Sequence, residues 1–434
     1  MVVASPSRLE RLRASGWWPD RAAAGATVAS GLKGRANALG LIRLVLASAV
    51  IVSHAFPLSG HHEDPVLRWS MGQANLGGFA VVGFFAISGY LITKSGMRSD
   101  ILRYMWARFL RIFPAFWAVL LISVFAIGPV IWFHLGRPFS SYFTTAPGGA
   151  IAYLRDNWTL TIHQWGIADI FSATPYGHEV GGGSVLNGSL WTLADEWACY
   201  LMIGCAVLFA VGSGLRLIIP VLTAVLFGMQ IAKLSGASFG KVVPWLADAN
   251  LVYLGLVFML GACIAVYADR IPLDDRLGLF ALAVSVFTAF RGGFLSLGLP
   301  AFAYALLWLA ARLPARFKVV GARNDYSYGL YLWGFLVEQM LAYVGVWRWG
   351  YAPYVVLSLA LSAVAAWLSW HLIEKQALAL KDWGPGRGIA HWWVRLRSPR
   401  RSAAGSSMPV DSRVPVVPKA SLSPVTSNAE EAAK

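Results

Sequence analysis

Long runs of apolar residues alternate with short polar segments over most of the chain. A helix needs about 20 apolar residues to cross the hydrocarbon core of a bilayer. By this criterion the pattern predicts membrane-spanning helices at residues 38–58, 76–95, 114–135, 189–211, 215–232, 250–268, 277–290, 293–311, 327–345 and 352–373. Only Arg291, Gly292 and Gly293 separate the seventh segment from the eighth, so these two could also form one broken hairpin. The pattern therefore predicts an all-α integral membrane protein, a bundle of about ten transmembrane helices.

The composition agrees with this class. Of the 434 residues, 57% are hydrophobic and 13% are charged, whereas an ordinary soluble domain has about 45–50% apolar and about 25% charged residues. This excludes a soluble enzyme and a disordered chain. The three cysteines, Cys199, Cys205 and Cys263, all lie in apolar runs, so no disulfide framework is expected.

The formal net charge of +15 does not require nucleic acid as a partner, because Lys and Arg accumulate in the cytoplasmic segments of membrane proteins. Basic residues concentrate at both ends of the chain and in every second loop, which predicts that both termini face the cytoplasm. The first apolar run follows a basic tail and is interpreted as a signal anchor. The predicted division is a basic cytoplasmic tail (1–37), a membrane domain (38–375) and a cytoplasmic tail (376–434) that is basic at first and disordered from about Ser398.

Two connections stand out. The stretch Ile101–Phe113 is basic and amphipathic, which predicts a helix at the inner membrane interface that leads into the third span at Pro114. The predicted outside loop 136–188 is long and carries Pro, Gly and aromatic residues. Loops of this length are usually functional.

Ionisable residues inside predicted spans are costly and indicate function. Arg43 and His54 lie eleven residues apart in the first span, about three helical turns, so they share a face and lie ~16 Å apart along the axis. Glu196, beside Asp195 in the fourth span, is expected at the depth of His54. We therefore predict a His54–Glu196 pair that acts as a general base. The alternatives are a cation at the membrane interface for Arg43, an imidazole bonded to the backbone for His54, and a helix-packing ion pair for Glu196.

Other charged positions allow two interpretations each. Arg108 and Arg111 are three residues apart, and such a pair suits the phosphates of a nucleotide or coenzyme. The alternative is an anionic lipid headgroup. Glu338 lies in the ninth span without an evident partner, and Glu374 is expected to pair at the surface with Lys375.

Some features are given structural interpretations. Gly83 and Ser88 are interpreted as helix-packing positions. The run from His61 to Asp64 contains metal-ligand residue types, but adjacent residues seldom chelate one ion, so no metal site is predicted. The chain has no P-loop, His-Glu-x-x-His or Gly-x-Ser-x-Gly motif, which argues against nucleotide hydrolysis, zinc proteolysis and serine hydrolysis.

Taken in order, these motifs resemble the acyltransferase-3 family of bacterial membrane acyltransferases, which includes surface-polysaccharide O-acetyltransferases. The matching positions are Arg43, His54, Phe84, Phe85, Ser88, Gly89, Tyr90, Leu91, Ile92, Arg108, Arg111, Pro114, Ser189, Leu190, Trp191, Thr192, Leu193, Glu196, Tyr200, Ser327, Tyr328, Tyr331, Leu332, Trp333 and Glu374. One departure is Gly334, where family members often have a histidine. This departure favours a mechanism that relies on His54 alone.

The resemblance implies an O-acyltransferase of the bacterial inner membrane, with no permanently bound cofactor. Acyl-CoA, most simply acetyl-CoA, would be the co-substrate, and the acceptor would be a sugar hydroxyl on a lipid-linked or exported glycan. The implied roles are acyl-CoA binding for Arg43, Arg108 and Arg111, catalysis for His54 (as base or transient acyl carrier) with Glu196, and substrate binding for Tyr90, Ser189, Trp191 and Tyr200.

A second hypothesis is a proton-coupled secondary transporter or exporter. Its proton relay would use Arg43, His54, Glu196 and Glu338. Transporters of this size often contain inverted repeats, and no internal repeat is evident, which weighs against this hypothesis.

Overall fold

The computed structural model describes residues 25–34, 37–61, 63–145, 147–210, 214–237 and 249–397. These residues form helices and loops, and the β interaction among them is a single bridge between Thr27 and Pro272. Most of the predicted basic N-terminal tail and the predicted disordered C-terminal tail lie outside the described residues. A second unit begins at Trp393 and is described only as far as Arg397.

Long helices account for every predicted apolar segment. They are α1 (Leu39–Leu58), α2 (Leu76–Gly96), α3 (Ile101–Ile122), α4 (Thr192–Phe209), α5 (Leu215–Leu234), α6 (Ala249–Val266), α7 (Asp275–Arg291), α8 (Leu299–Arg312), α9 (Ser327–Tyr343) and α10 (Tyr351–Ser369). Short helical segments lie at Val28–Gly31, Pro65–Trp69, Phe139–Tyr142, Ala150–Asn157, Pro175–Glu179, Ala315–Val319, Val346–Trp349, Gly384–Arg387 and Ile389–Arg397. The all-α prediction is confirmed.

Among the described residues, 7 helices are long and apolar enough to cross a membrane. They are α1, α2, α4, α5 and three stretches in which a numbered helix runs on into a neighbouring helical segment: Ile101–His134, Phe294–Arg312 and Tyr351–Asp382. The apolar helix at Asn250–Val266, within α6, is shorter, and α7 and α9 have 17 residues each. The count of about ten spans and the cytoplasmic placement of both termini therefore stay predictions.

The third helix corrects a predicted boundary. α3 runs through Pro114 without interruption and continues through a π-helical turn, Ser123–Ile127, to His134. A proline removes one backbone hydrogen bond from a helix, but buried neighbours such as Ala115 and Phe116 hold this turn in the core. Pro114 is therefore not a helix boundary, because the basic stretch is the first part of one long helix. The place of this stretch at the inner membrane interface stays a prediction.

The seventh and eighth predicted segments are two helices joined by a tight turn. Gly292 and Gly293 form the turn with φ values of 93° and 91°, a left-handed conformation that favours glycine. α8 is preceded by a π-helical turn, Phe294–Gly298.

Two glycines allow α2 and α6 to pack closely. A Cβ atom on Gly89 would lie 1.9 Å from the carbonyl oxygen of Phe258, and one on Gly261 would lie 2.1 Å from that of Ala86. Backbone contact of this kind is typical of small residues at membrane helix interfaces. It fixes the position of α2, which carries Ser88 and its neighbours. Gly83 packs against Leu46, as predicted.

The 136–188 connection is folded around a buried asparagine. Asn157 accepts hydrogen bonds from the backbone N–H groups of His163 (2.9 Å) and Gln164 (3.1 Å), and its side-chain amide donates to the Gln164 carbonyl (2.7 Å). Arg137 forms two hydrogen bonds with Asp169, of 2.5 and 2.7 Å, and these lower the pKa of Asp169. These hydrogen bonds hold the turn at residues 157–164 and link the start of the connection to Asp169.

Candidate active site

A cavity lies where α1, α2, α3, α4 and α9 meet. Its volume is ≈ 760 Å³, open mouth included. Its polar lining consists of Arg43, Ser88, Arg108, Arg111, Thr192, Glu196, Tyr200, Ser327, Tyr328 and Tyr331, and its apolar lining includes Phe84, Phe85 and Leu91. The cavity thus gathers all three arginines predicted to bind acyl-CoA, together with Glu196 and Tyr200.

Two of the three arginines are held by carboxylates. Asp325, just before α9, contacts Arg43 and accepts a 2.7 Å hydrogen bond from Arg111. Arg111 also lies 3.5 Å from Glu374, which accepts a hydrogen bond from Ser369. Burial alone would raise the pKa of Asp325, but the guanidinium groups of Arg43 and Arg111 outweigh this effect and hold its pKa well below its usual range. Asp325 is therefore an anion that neutralises this side of the cavity.

Glu374 corrects a prediction. It was expected to pair with Lys375 at the surface, but its side chain is buried and reaches Arg111. A π-helical turn, Trp370–Glu374, continues α10 at this point. Single π turns inside helices frequently occur at functional sites, and here the turn accompanies a carboxylate that faces the cavity wall.

Arg108 has a different environment from Arg111. Its guanidinium lies 5.9 Å from the ring centre of Tyr200, and its Nε atom is buried without a hydrogen-bond partner in the described part of the chain. No carboxylate pairs with Arg108 among the described residues, although one pairs with each of the other two cavity arginines. Arg108 therefore presents the cavity with a cation that a bound anion could neutralise.

Glu196 lines the same cavity as these arginines. It accepts a 2.5 Å hydrogen bond from Tyr200, one turn further along α4, and a 3.4 Å hydrogen bond from Ser88. Thr192 and Tyr331 share a 2.6 Å hydrogen bond in the same wall. Ser88 is thus a cavity residue as well as a packing position, contrary to the packing interpretation alone.

His54 lies outside the cavity lining, beside another carboxylate. Its Nδ1 atom is 3.9 Å from Glu338 Oε2, and the Glu338 side chain has 0% exposure against 25% for His54. Neither Glu338 oxygen has a hydrogen-bond partner within the described residues. Phe335 packs edge-on against the His54 ring, at 5.2 Å between centroids. A partly exposed imidazole therefore faces a fully buried carboxylate.

The predicted His54–Glu196 pair is wrong. Residue counts estimate the depth of a residue along a helix, but depth does not specify which way a helix face points. α1 packs against α2, α9 and α10, so His54 meets Glu338 of α9. Glu196 instead bonds within α4 and to α2.

The remaining predicted residues lie outside the cavity lining. Tyr90 is buried, and its hydroxyl accepts a 3.4 Å hydrogen bond from Lys94. Ser189 is buried with no hydrogen-bond partner for its hydroxyl in the described residues, and Trp191 precedes the first turn of α4. In the polar run after α1, Asp64 accepts hydrogen bonds from Ser53 and from the first turns of two helices. That is a structural role, and His62 lies outside the described residues.

Asp325 was missed by the sequence reasoning. A signal was present, because this acidic residue lies in a basic loop, two residues before the Ser327–Tyr328 motif. Gly334, the departure from the family pattern, faces α1: a Cβ atom there would lie 2.8 Å from Ile51. A histidine would not fit at this position without moving α1.

Comparison with known proteins places the chain in a family. The family model described as an acyltransferase domain, of the acyltransferase-3 type, matches residues 37–371. An O-acetyl transferase of Shigella phage Sf6 is 30% identical over 348 residues, 79% of this chain and 96% of the relative. Nodulation protein 10 of Rhizobium leguminosarum bv. viciae is 27% identical over 387 residues, 80% of this chain and 95% of the relative. No solved structure matches. The chain belongs to the acyltransferase-3 family of integral membrane acyltransferases.

Proposed function

We propose that this protein is a membrane O-acyltransferase that moves an acyl group, most simply acetyl, from cytoplasmic acyl-CoA to a sugar hydroxyl of a surface or exported glycan. Its place would be the inner membrane of a bacterium. The observation that carries the proposal is the His54–Glu338 pair, which lies three turns along α1 from the arginine cavity. The relative named O-acetyl transferase supports the choice of reaction.

The geometry of His54 suits a general base. The buried Glu338 carboxylate faces Nδ1, which leaves Nε2 as the atom that can accept a proton from an acceptor hydroxyl. A buried carboxylate without hydrogen bonds is costly by itself. Its charge would stabilise the imidazolium that forms when His54 takes the proton, as the carboxylate does in a catalytic triad.

The reaction can then be written in balance. His54 Nε2 takes the proton of the acceptor hydroxyl while the hydroxyl oxygen bonds to the thioester carbonyl carbon. The resulting tetrahedral intermediate expels the CoA thiolate, which takes the proton from His54 and leaves as a free thiol. A transient acyl group on His54 is the second route to the same products. The two differ in whether the acceptor must be present before free thiol is released.

The donor would enter at the cavity. Arg108 offers a cation without a carboxylate partner among the described residues, and Arg43 and Arg111, which Asp325 holds, line the same cavity. Arginine suits phosphate because its guanidinium can form two parallel hydrogen bonds. The ~16 Å between Arg43 and His54 along α1 would be covered in part by the extended pantetheine arm.

The transporter hypothesis has less support. Arg43 pairs with Asp325, Glu196 bonds to Tyr200, and His54 faces Glu338. These contacts place the four residues of the suggested proton relay in three separate groups, so they do not form one chain of neighbouring groups. No observation favours transport over acyl transfer.

The deciding experiment measures free thiol released from acetyl-CoA by the purified protein in nanodiscs, with and without a lipid-linked glycan extract. We expect release by the wild type and none by His54→Ala. The matched control is His178→Ala, because His178 is an exposed histidine in the outer connection. Release by a folded His54→Ala variant would refute the role of His54. If the wild type released no free thiol from any acyl-CoA tested, the assignment of acyl-CoA as the donor would be refuted.

A further inference from the structure

A second basic groove lies beside the cavity, at the end of α2. It is lined by Lys94, Ser95, Arg98, Ser99, Arg103 and Lys381, and its volume is ≈ 850 Å³, open mouth included. Of its cations, Arg103 pairs with Asp382. Lys94, Arg98 and Lys381 make no ion pair with any described residue. The groove therefore carries positive charge that the protein does not neutralise.

The backbone around the groove is well held. Asp100 caps α3 by accepting hydrogen bonds from the N–H groups of Leu102 and Arg103. The indole of Trp106 donates a 3.0 Å hydrogen bond to the Leu380 carbonyl, which fixes the segment that carries Lys381 against α3. The cationic ends of Arg98 and Lys381 remain exposed. A hydrogen-bonded backbone that carries cationic side chains without ion-pair partners among the described residues suits the binding of an anionic ligand.

The groove adjoins the candidate donor site at Leu91. Leu91 lines both the cavity and the groove. It also lines a neighbouring recess, together with Lys94, Arg98, Arg43 and Asp325. A molecule that enters the cavity from this side passes Lys94 and Arg98 before it reaches the cavity arginines.

The positively charged side chains of the groove favour a ligand that carries phosphate groups. Lysine, arginine and serine side chains are typical phosphate ligands. The carbonyl end of α2 also points this way, but a helix C-terminus carries only about half a negative charge, and the lysine and arginines of the groove outweigh it. Acyl-CoA concentrates its charge in the 3′-phosphate and diphosphate of its nucleotide, whereas the pantetheine arm is uncharged. An extended donor would therefore leave its phosphates in the groove.

We propose that this groove, through Lys94 and Arg98, binds the phosphate groups of the acyl-CoA nucleotide while the pantetheine arm enters the cavity. This inference rests on the proposed function, because it assumes an acyl-CoA donor. Anionic lipid headgroups offer the same phosphate chemistry at a membrane surface, so the test must separate the two sources.

The test compares wild type, Lys94→Gln and Arg98→Gln in nanodiscs of neutral lipid and, separately, of anionic lipid, with acetyl-CoA, acetyl-dephospho-CoA and acetyl-pantetheine as donors. Loss of one charged phosphate contact is expected to raise KM for acetyl-CoA about tenfold and to leave kcat unchanged. KM for acetyl-pantetheine, which has no nucleotide, is expected not to change. The control is Arg276→Gln, because Arg276 is exposed and lines neither the cavity nor the groove.

Two outcomes would overturn the proposal. One is an unchanged KM for acetyl-CoA in both variants. The other is an effect that occurs only in anionic nanodiscs and equally for all three donors, which would assign the groove to lipid. If the wild type uses none of the donors, the proposed function fails separately. Equilibrium binding of labelled CoA then decides: weaker binding by Arg98→Gln supports the groove, and equal binding refutes it.

Discussion

Arg108 and Arg111 lie one helical turn apart on α3, yet only Arg111 is held by carboxylates. Arg111 bonds to Asp325 and approaches Glu374, while the Nε of Arg108 has no partner among the described residues. Two residues of one motif therefore have different environments. Arg111 organises the cavity wall, and Arg108 is available to a ligand.

This difference predicts different effects of matched substitutions. Arg108→Gln is expected to raise KM for acyl-CoA about tenfold, the cost of one charged hydrogen bond, in a protein that folds normally. Arg111→Gln is expected to lower stability by about 3 kcal/mol, because it leaves Glu374 buried without its cation. Thermal unfolding in detergent and donor KM separate the two. Equal loss of stability in both variants would contradict the assignment.

Glu338 is predicted to be a positioning residue for His54. Glu338→Gln keeps the volume of the side chain but removes the charge that would stabilise protonated His54, so kcat is expected to fall by about 10²–10⁴ with little change in the KM for acyl-CoA. Glu338→Asp should recover part of the loss. A control is Glu179→Gln, because Glu179 is an exposed residue of the 136–188 connection. A rise in KM without a fall in kcat would argue against this role.

The Asp325 network predicts a pH-dependent stability. The pKa of Asp325 is held below its usual range in the folded protein, so its contribution is complete above its unfolded pKa of about 3.9 and is lost as the pH falls below that value. The difference in Tm between wild type and Asp325→Asn is therefore expected to be constant from about pH 7 to 5 and to shrink below about pH 4. A difference that grows at acidic pH would reverse the sign and refute the argument. Asp269→Asn, in an exposed pair with Arg216, is the control.

The contact between Gly334 and Ile51 predicts an overpacked variant. Gly334→Ala would bring a Cβ atom to 2.8 Å from Ile51, and overpacking typically costs about 1–3 kcal/mol. Because Ile51 lies one turn before His54 on α1, kcat should fall as well. The double variant Gly334→Ala with Ile51→Ala relieves the clash. It should recover activity more than the sum of the single effects predicts, and strict additivity would contradict direct contact.

Asn157 tests the 136–188 connection. Its amide holds the 157–164 turn through three hydrogen bonds, so Asn157→Ala is expected to lower the local stability by about 2–3 kcal/mol and to expose the turn to protease. If the 136–188 connection binds the glycan acceptor, the KM of Asn157→Ala for the acceptor should rise while its KM for acyl-CoA stays constant. Asn324→Ala, in the loop before α9, is a matched asparagine control. A rise in donor KM alone would exclude this role.

The sequence by itself determined the membrane class, the all-α fold, the helical segments and the residue types of the site. These properties are local: the length of an apolar run sets whether a helix can span a bilayer, and a charge inside such a run is costly wherever the helix packs. The sequence motifs also indicated the three arginines, Glu196 and Tyr200, which the cavity brings together.

Only the tertiary structure decided which charged groups meet. His54 faces Glu338 rather than Glu196, because the packing of α1 against α9 sets the direction of its face. Asp325 joins Arg43 across 282 residues of sequence, a contact that no local pattern encodes. Residue counts along a helix give depth through the rise per residue, but the rotation of each helix and its neighbours depend on side-chain packing over the whole bundle.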